Sequence, residues 1–157
     1  MSTSPFPIPS APALTVIESP SDKNRRVEER WTPALAKSFC PVSSYFLENY
    51  HRLKPHEGAR GLNSTEAMLI VQMFDFKWDK AAPFPSLGTI ARRMGISVRQ
   101  VRDIVKRLEG LGYLKRVPRK YGGSNAIEFS GLFKALETLQ SEDASTLDDA
   151  TAAEVSL

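Results

Sequence analysis

The chain has 157 residues, 41% of them apolar, and 21 Lys and Arg against 18 Asp and Glu for a net charge of +3. That length holds one compact domain with tails and excludes a two-domain enzyme of ordinary size, while the apolar fraction excludes wholesale disorder. A single cysteine, Cys40, allows neither an internal disulfide nor a thiolate zinc cluster and fits a reducing cytosol, and His51 and His56 are not spaced as metal ligands, so no metal or cofactor is expected.

Five of the 11 prolines fall in the first 20 residues among Ser, Ala and Thr. Such a composition favours extended backbone, so residues 1–24 are expected to be a disordered Pro-rich arm. The opening lacks a basic start followed by an apolar stretch, and no apolar run is long enough to span a bilayer, which points to a cytoplasmic protein. The expected folded part runs from Val27 to Leu139. Val42, Tyr45, Phe46, Leu47, Tyr50 and Leu53 recur at helical spacing after Pro41, predicting a short amphipathic helix over about Ser43 to Arg52. Asn63 three residues before Glu66 is a capping-box arrangement ahead of AMLIVQMFDF, and predicts a buried helix from about Ser64 to Phe76.

Pro83 and Pro85 break the chain, and Ser86 can then cap a helix through LGTIARRM. Gly95 ends it, since glycine enters the left-handed conformation cheaply, and Ser97 caps a second helix from Val98 to about Glu109. In that second helix Val98, Val101, Ile104, Val105, Leu108 and Leu111 form an apolar stripe, with Arg99, Gln100, Arg102, Asp103, Lys106 and Arg107 on the remaining surface. Beyond Gly110 and Gly112 the pattern turns to strand from Tyr113 to Val117. A turn rich in Pro118, Gly122, Gly123 and Ser124 leads to a second strand, Ala126 to Phe129, with Arg119 and Lys120 near the tip. A last helix is expected over Leu132 to Leu139. From Ser141 the chain carries Glu142, Asp143, Asp148, Asp149 and Glu154 and no basic residue, so residues 141–157 are expected to be a disordered acidic tail.

LGTIARRMGISVRQVRDI, followed by Gly112-Tyr113-Leu114 and a basic hairpin, resembles the winged helix-turn-helix family. The residues carrying the resemblance are Ala91, Gly95, Ile96, Val101, Ile104 and Leu108, and the match covers about Pro83 to Phe129. Ala91 is small where two helices cross closely, and Val101 and Ile104 fill the angle between them. The lead-in of Trp78, Pro83 and Pro85-Ser86 is similar to helix-turn-helix domains of bacterial, plasmid and phage replication proteins and small transcriptional regulators. The fold class implied is mainly α with a small β-hairpin.

Charge is segregated in the same place: Ser86 to Ser124 holds ten basic and two acidic residues, or +8, leaving −5 for the rest of the chain. Concentrated positive charge binds a polyphosphate by releasing condensed counterions. The resemblance implies a sequence-specific binder of double-stranded DNA, acting in transcription regulation or replication initiation. It places the second helix in the major groove, with Ser97, Val98, Arg99, Gln100, Arg102, Asp103 and Lys106 as candidates for base readout. Arg99 or Arg102 suits guanine, Gln100 suits adenine, and Val98 either meets a thymine methyl or packs in the core; Asp103 is expected to orient a neighbouring arginine. Arg92 and Arg93 on the first helix, and Arg119 and Lys120 on a basic wing over 115–124, would contact phosphates or a flanking minor groove. Arg107 reads as a surface charge.

The implied partners are duplex DNA, a second copy of the chain on two-fold sites, and replication or transcription machinery. Val27 to Leu53 supplies either the dimer contact or intramolecular core. The alternative function is a protein-protein interaction module using the winged helix as an adaptor. Neither a Walker loop nor a nucleophile partnered with His and Asp can be made out, so catalysis is not expected.

Overall fold

The computed structural model describes residues 27–77 and 81–155. The chain divides after Phe39 into a short unit, Met1–Phe39, and a larger one, Cys40–Leu157. The expected Pro-rich arm and Trp78 lie outside the described residues. In the short unit, α1 (Val27–Arg30) is a single turn. It is followed by a turn in which the Ala36 N–H donates to Thr32 O at 2.9 Å, with Trp31, Leu35 and Phe39 exposed.

The larger unit begins with α2 (Ser44–Asn49), continued by a 3-10 turn over Tyr50–Arg52. Ser43 caps α2 by accepting from the Phe46 N–H at 3.4 Å, and Phe46 and Leu53 are buried. Both therefore belong to this unit's core, whereas Leu47 is exposed. Next comes α3 (Ser64–Phe74), started by the expected capping box. Asn63 Oδ1 accepts from the Glu66 N–H at 2.8 Å, and Glu66 Oε2 accepts from the Asn63 N–H at 2.9 Å. Each contact satisfies a donor that the helix geometry leaves without a partner. The helix stops at Phe74, two residues short of the expected end, because Phe76 and Lys77 close tighter three-residue turns onto Met73 O and Phe74 O.

Helix α4 (Leu87–Met94) is capped by Ser86 and stopped by Gly95, which sits at φ +67°. That left-handed residue lets the Ile96 N–H turn back to Ala91 O at 3.1 Å. Ser97 then caps α5 (Val98–Gly110). Two three-residue strands, β1 (Lys115–Val117) and β2 (Ala126–Glu128), pair antiparallel with Arg116 opposite Ile127. Strand β1 starts two residues later than the pattern suggests. The Tyr113 N–H still closes α5 by donating to Leu108 O at 3.0 Å, and Tyr113 O accepts from Leu132 at 3.1 Å. One core runs through these elements: Leu69, Ile70 and Met73 from α3, Ile90 and Ala91 from α4, Val101, Val105 and Leu108 from α5, and Ile127, Phe129 and Leu132 beyond them. Phe74 stacks on Phe129 at 4.8 Å between ring centroids, a core role.

The largest departure from the sequence pattern is at the C-terminal end, where α6 runs from Ser130 to Val155 instead of stopping at Leu139. The acidic stretch contains no proline or glycine to end a helix. Within α6, Ser141, Ser145 and Thr146 turn their hydroxyls onto the carbonyls of Glu137, Ser141 and Glu142, at 2.8, 3.0 and 2.9 Å. Asp143 is held at two points. Arg52 donates to both its carboxylate oxygens at 2.8 and 2.7 Å, and the Tyr45 hydroxyl donates at 2.8 Å. These bonds, from Arg52 first, hold the Asp143 pKa at about 2. No helix among the described residues is long and apolar enough to cross a membrane.

Candidate nucleic-acid interface

Helix α5 divides lengthwise into a buried face and an open one. Val101, Val105 and Leu108 are wholly buried, while Arg99, Gln100, Arg102, Asp103 and Lys106 are exposed and Ser97 is exposed at the cap. The 3.6-residue period explains this division: residues at i, i+4 and i+7 share the core side and those between them are turned outward. Val98 is partly buried and packs against the core, so it serves packing as well as bordering the open face.

Five arginines of the described chain are neutralised by carboxylates: Arg52, Arg60, Arg93, Arg107 and Arg116. Arg92, Arg99, Arg102 and Lys106 form no ion pair with any described residue. Four cations on α4 and α5 thus remain available to a ligand, and an incoming polyanion displaces no carboxylate of the described residues to reach them. Asp103 forms no ion pair among the described residues either, so the expected orientation of an arginine by Asp103 is not seen. Gln100 is committed in part. Its Oε1 accepts from the Ser97 N–H at 3.0 Å and from the Ser97 hydroxyl at 3.1 Å, completing a capping box at the start of α5. This leaves its amide N–H donors toward solvent.

The remaining candidates are placed by aromatic and acidic neighbours. Arg93 is salt-bridged to Asp75 and lies over the Phe76 ring, 5.0 Å from its centroid, so it is held against the end of α3. Arg119 stacks over the Phe84 ring at 4.0 Å, and Lys120 lies 5.7 Å from the Tyr121 ring. Both wing cations are exposed. A guanidinium stacked on an aromatic face keeps its edge N–H donors, so the stack orients Arg119 without consuming it.

Arg107 is not a plain surface charge. Its Nε donates to Glu66 Oε1 at 2.6 Å, and Arg60 donates to both Glu66 oxygens at 2.9 and 2.8 Å. Glu66 is 2% exposed. Burial pushes its carboxyl up, but the bonds from Arg60, the Asn63 N–H and Arg107 outweigh that and hold its pKa at about 2. One carboxylate therefore caps α3 and ties α3 to the C-terminal half of α5. Glu109 does the same toward the wing, accepting from Arg116 Nη2 at 2.6 Å and from the Arg116 N–H at 3.2 Å. Sequence reasoning missed both ties. Glu66 was visible only as a capping residue, because its arginine partner on α5 lies 41 residues away.

Residues 60–114 match the family model described as a helix-turn-helix domain. Within it α4, the Gly95 turn and α5 make the helix-turn-helix, and the β1–β2 hairpin after it makes the winged form. Over 68 residues, 43% of its length, this chain is 32% identical to Protein YmfN of Escherichia coli (strain K12). The matched part is only 15% of YmfN's own length. In fold, it is similar to the N-terminal domain of DnaD protein from Geobacillus kaustophilus HTA426, with a TM-score of 0.57 at 21% identity, covering 77% of this chain and 96% of that domain.

Proposed function

We propose that this is a non-catalytic, intracellular protein that binds double-stranded DNA with sequence preference, serving transcription control or replication initiation. The observation that carries the reading is the open face of α5: Arg99, Arg102 and Lys106 are exposed, free of ion pairs with described residues, and backed by a fully buried stripe that holds the helix rigid. A helix so presented fits the major groove, where a guanidinium can donate two bonds to the O6 and N7 atoms of guanine. Arg99 or Arg102 takes that role. Ser97, Gln100, Asp103 and the exposed edge of Val98 border the same groove, and Gln100 offers its free amide donors. Arg92, Arg119 and Lys120 contact phosphates and set register, and Arg93 adds charge from a fixed position. A second copy of the chain would suit a two-fold site.

Use of the fold as a protein adaptor has one observation in its favour, an apolar groove of about 310 Å³ lined by Val42, Phe46, Phe74, Leu132, Phe133 and Leu136. That groove does not involve α5, and the charge of α5 is unsuited to apolar docking. Electrophoretic retardation of duplex DNA at low and moderate salt tests the proposal. A shifted complex that weakens as salt rises supports it, and no shift at either salt favours the adaptor.

A further inference from the structure

The tip of the wing carries a group that phosphate contact does not require. The Gly122 N–H closes a turn onto Arg119 O at 3.2 Å, which places Lys120 and Tyr121 at the two corner positions. Gly122 and Gly123, at φ +79° and +87°, then carry the chain on toward β2. Tyr121 is left 92% exposed, with the ammonium of Lys120 5.7 Å from its ring centroid. Phe84, 54% exposed, carries the Arg119 guanidinium on its face. This tip is anchored at its base as well, because the Ile127 N–H of β2 donates at 2.7 Å to the carbonyl of Pro83, the residue before Phe84. The corner therefore offers an uncovered aromatic face next to exposed cations.

We propose that Tyr121 is a stacking site for an unpaired nucleobase, so that the wing recognises DNA where the duplex is opened or joins a single strand. This deepens the DNA-binding reading and rests on it. An intact duplex keeps the faces of its bases inside the stack and offers the wing only phosphates, sugars and base edges, which Arg119 and Lys120 satisfy. An unpaired base exposes its flat face, which an aromatic ring covers, while the flanking cations hold its backbone. Arg119, kept in place by Phe84, supplies the backbone contact beside the ring.

The test compares three fluorescent ligands of one sequence at fixed salt: an intact duplex, the same duplex with a central mismatched bubble, and the single strand. The unmodified protein is expected to bind the bubble at least about fivefold more tightly than the duplex, the low end of what stacking one base on an aromatic ring contributes. Tyr121→Ala should abolish that preference while leaving duplex affinity within about twofold, and Tyr121→Trp should retain it. Equal affinity of the unmodified protein for duplex and bubble overturns the stacking site alone. So does an equal loss on both ligands in Tyr121→Ala, which would mean the ring wedges into intact DNA. Binding to none of the three ligands overturns the DNA-binding reading with it.

Discussion

The two ends of α5 use their charged residues differently. From Arg99 to Lys106 the cations are exposed and lack ion pairs among the described residues, whereas from Arg107 to Glu109 each charged side chain is bonded to another element. The difference lies in where oppositely charged partners from other elements happen to be. Glu66 reaches α5 from the start of α3, and Arg116 reaches it from the wing. One half is thereby fastened and the other left open, so that a rigid end positions a reactive one. Counting basic residues along the helix cannot show which of them are neutralised, because that is decided by partners distant in sequence.

Glu66→Gln should produce the largest change, loosening the fastened half. Breaking a buried ion pair ordinarily costs roughly 3–5 kcal/mol, and here about 2–3 kcal/mol is expected because both arginines keep partial access to water. Chemical denaturation measures it. Acid tests the same contact with a definite sign. The folded pKa of Glu66, about 2, lies below the ordinary carboxylate value, so its stabilisation is complete above the usual range near about pH 4.5 and is lost as pH falls toward 2. The Gln variant should show a flatter stability profile across that window.

Ala91→Leu should destabilise by about 1–3 kcal/mol, since Ala91 is 3% exposed on α4, next to the fully buried Ile90 and behind the open half of α5. A melting temperature equal to that of the unmodified protein would show that the crossing has room. Arg99→Ala, on the open half, should do the reverse of Glu66→Gln. Stability should stay within about 0.5 kcal/mol, while binding to the preferred site falls by about 1–3 kcal/mol and base preference relaxes. The smallest effect belongs to Arg119→Ala, which should weaken binding to all sequences alike and reduce the slope of log affinity against log salt by about 1.

The turn itself was plain in the sequence, because Ser86, Gly95 and Ser97 act on their immediate neighbours and local rules govern them. The same rule that marks Asn63 and Glu66 also marks Ser97 and Gln100, three residues apart, and would have shown that Gln100 gives its carbonyl to the helix cap. Arg93 and Arg107 could not be read this way, since Asp75 and Glu66 reach them only through tertiary packing, 18 and 41 residues distant. The acidic segment beyond Ser141 misled for a different reason. Charge predicts contact with water, and an exposed helix satisfies that as well as a coil does; Asp143, bonded to Arg52 and Tyr45, shows the segment engaged with α2 and the turn that follows it. Tyr121 passed unnoticed because exposure at a turn corner leaves no periodic signature.

Methylation interference on a DNA fragment selected for binding tests the placement of α5 most directly. Methylating the N7 atom of guanine blocks only the major groove, so modification at one or more guanines in the selected site should abolish binding by the unmodified protein, and Arg99→Ala or Arg102→Ala should become indifferent to one of them. Retained binding with every guanine N7 methylated, at unchanged affinity, would contradict a helix seated in that groove.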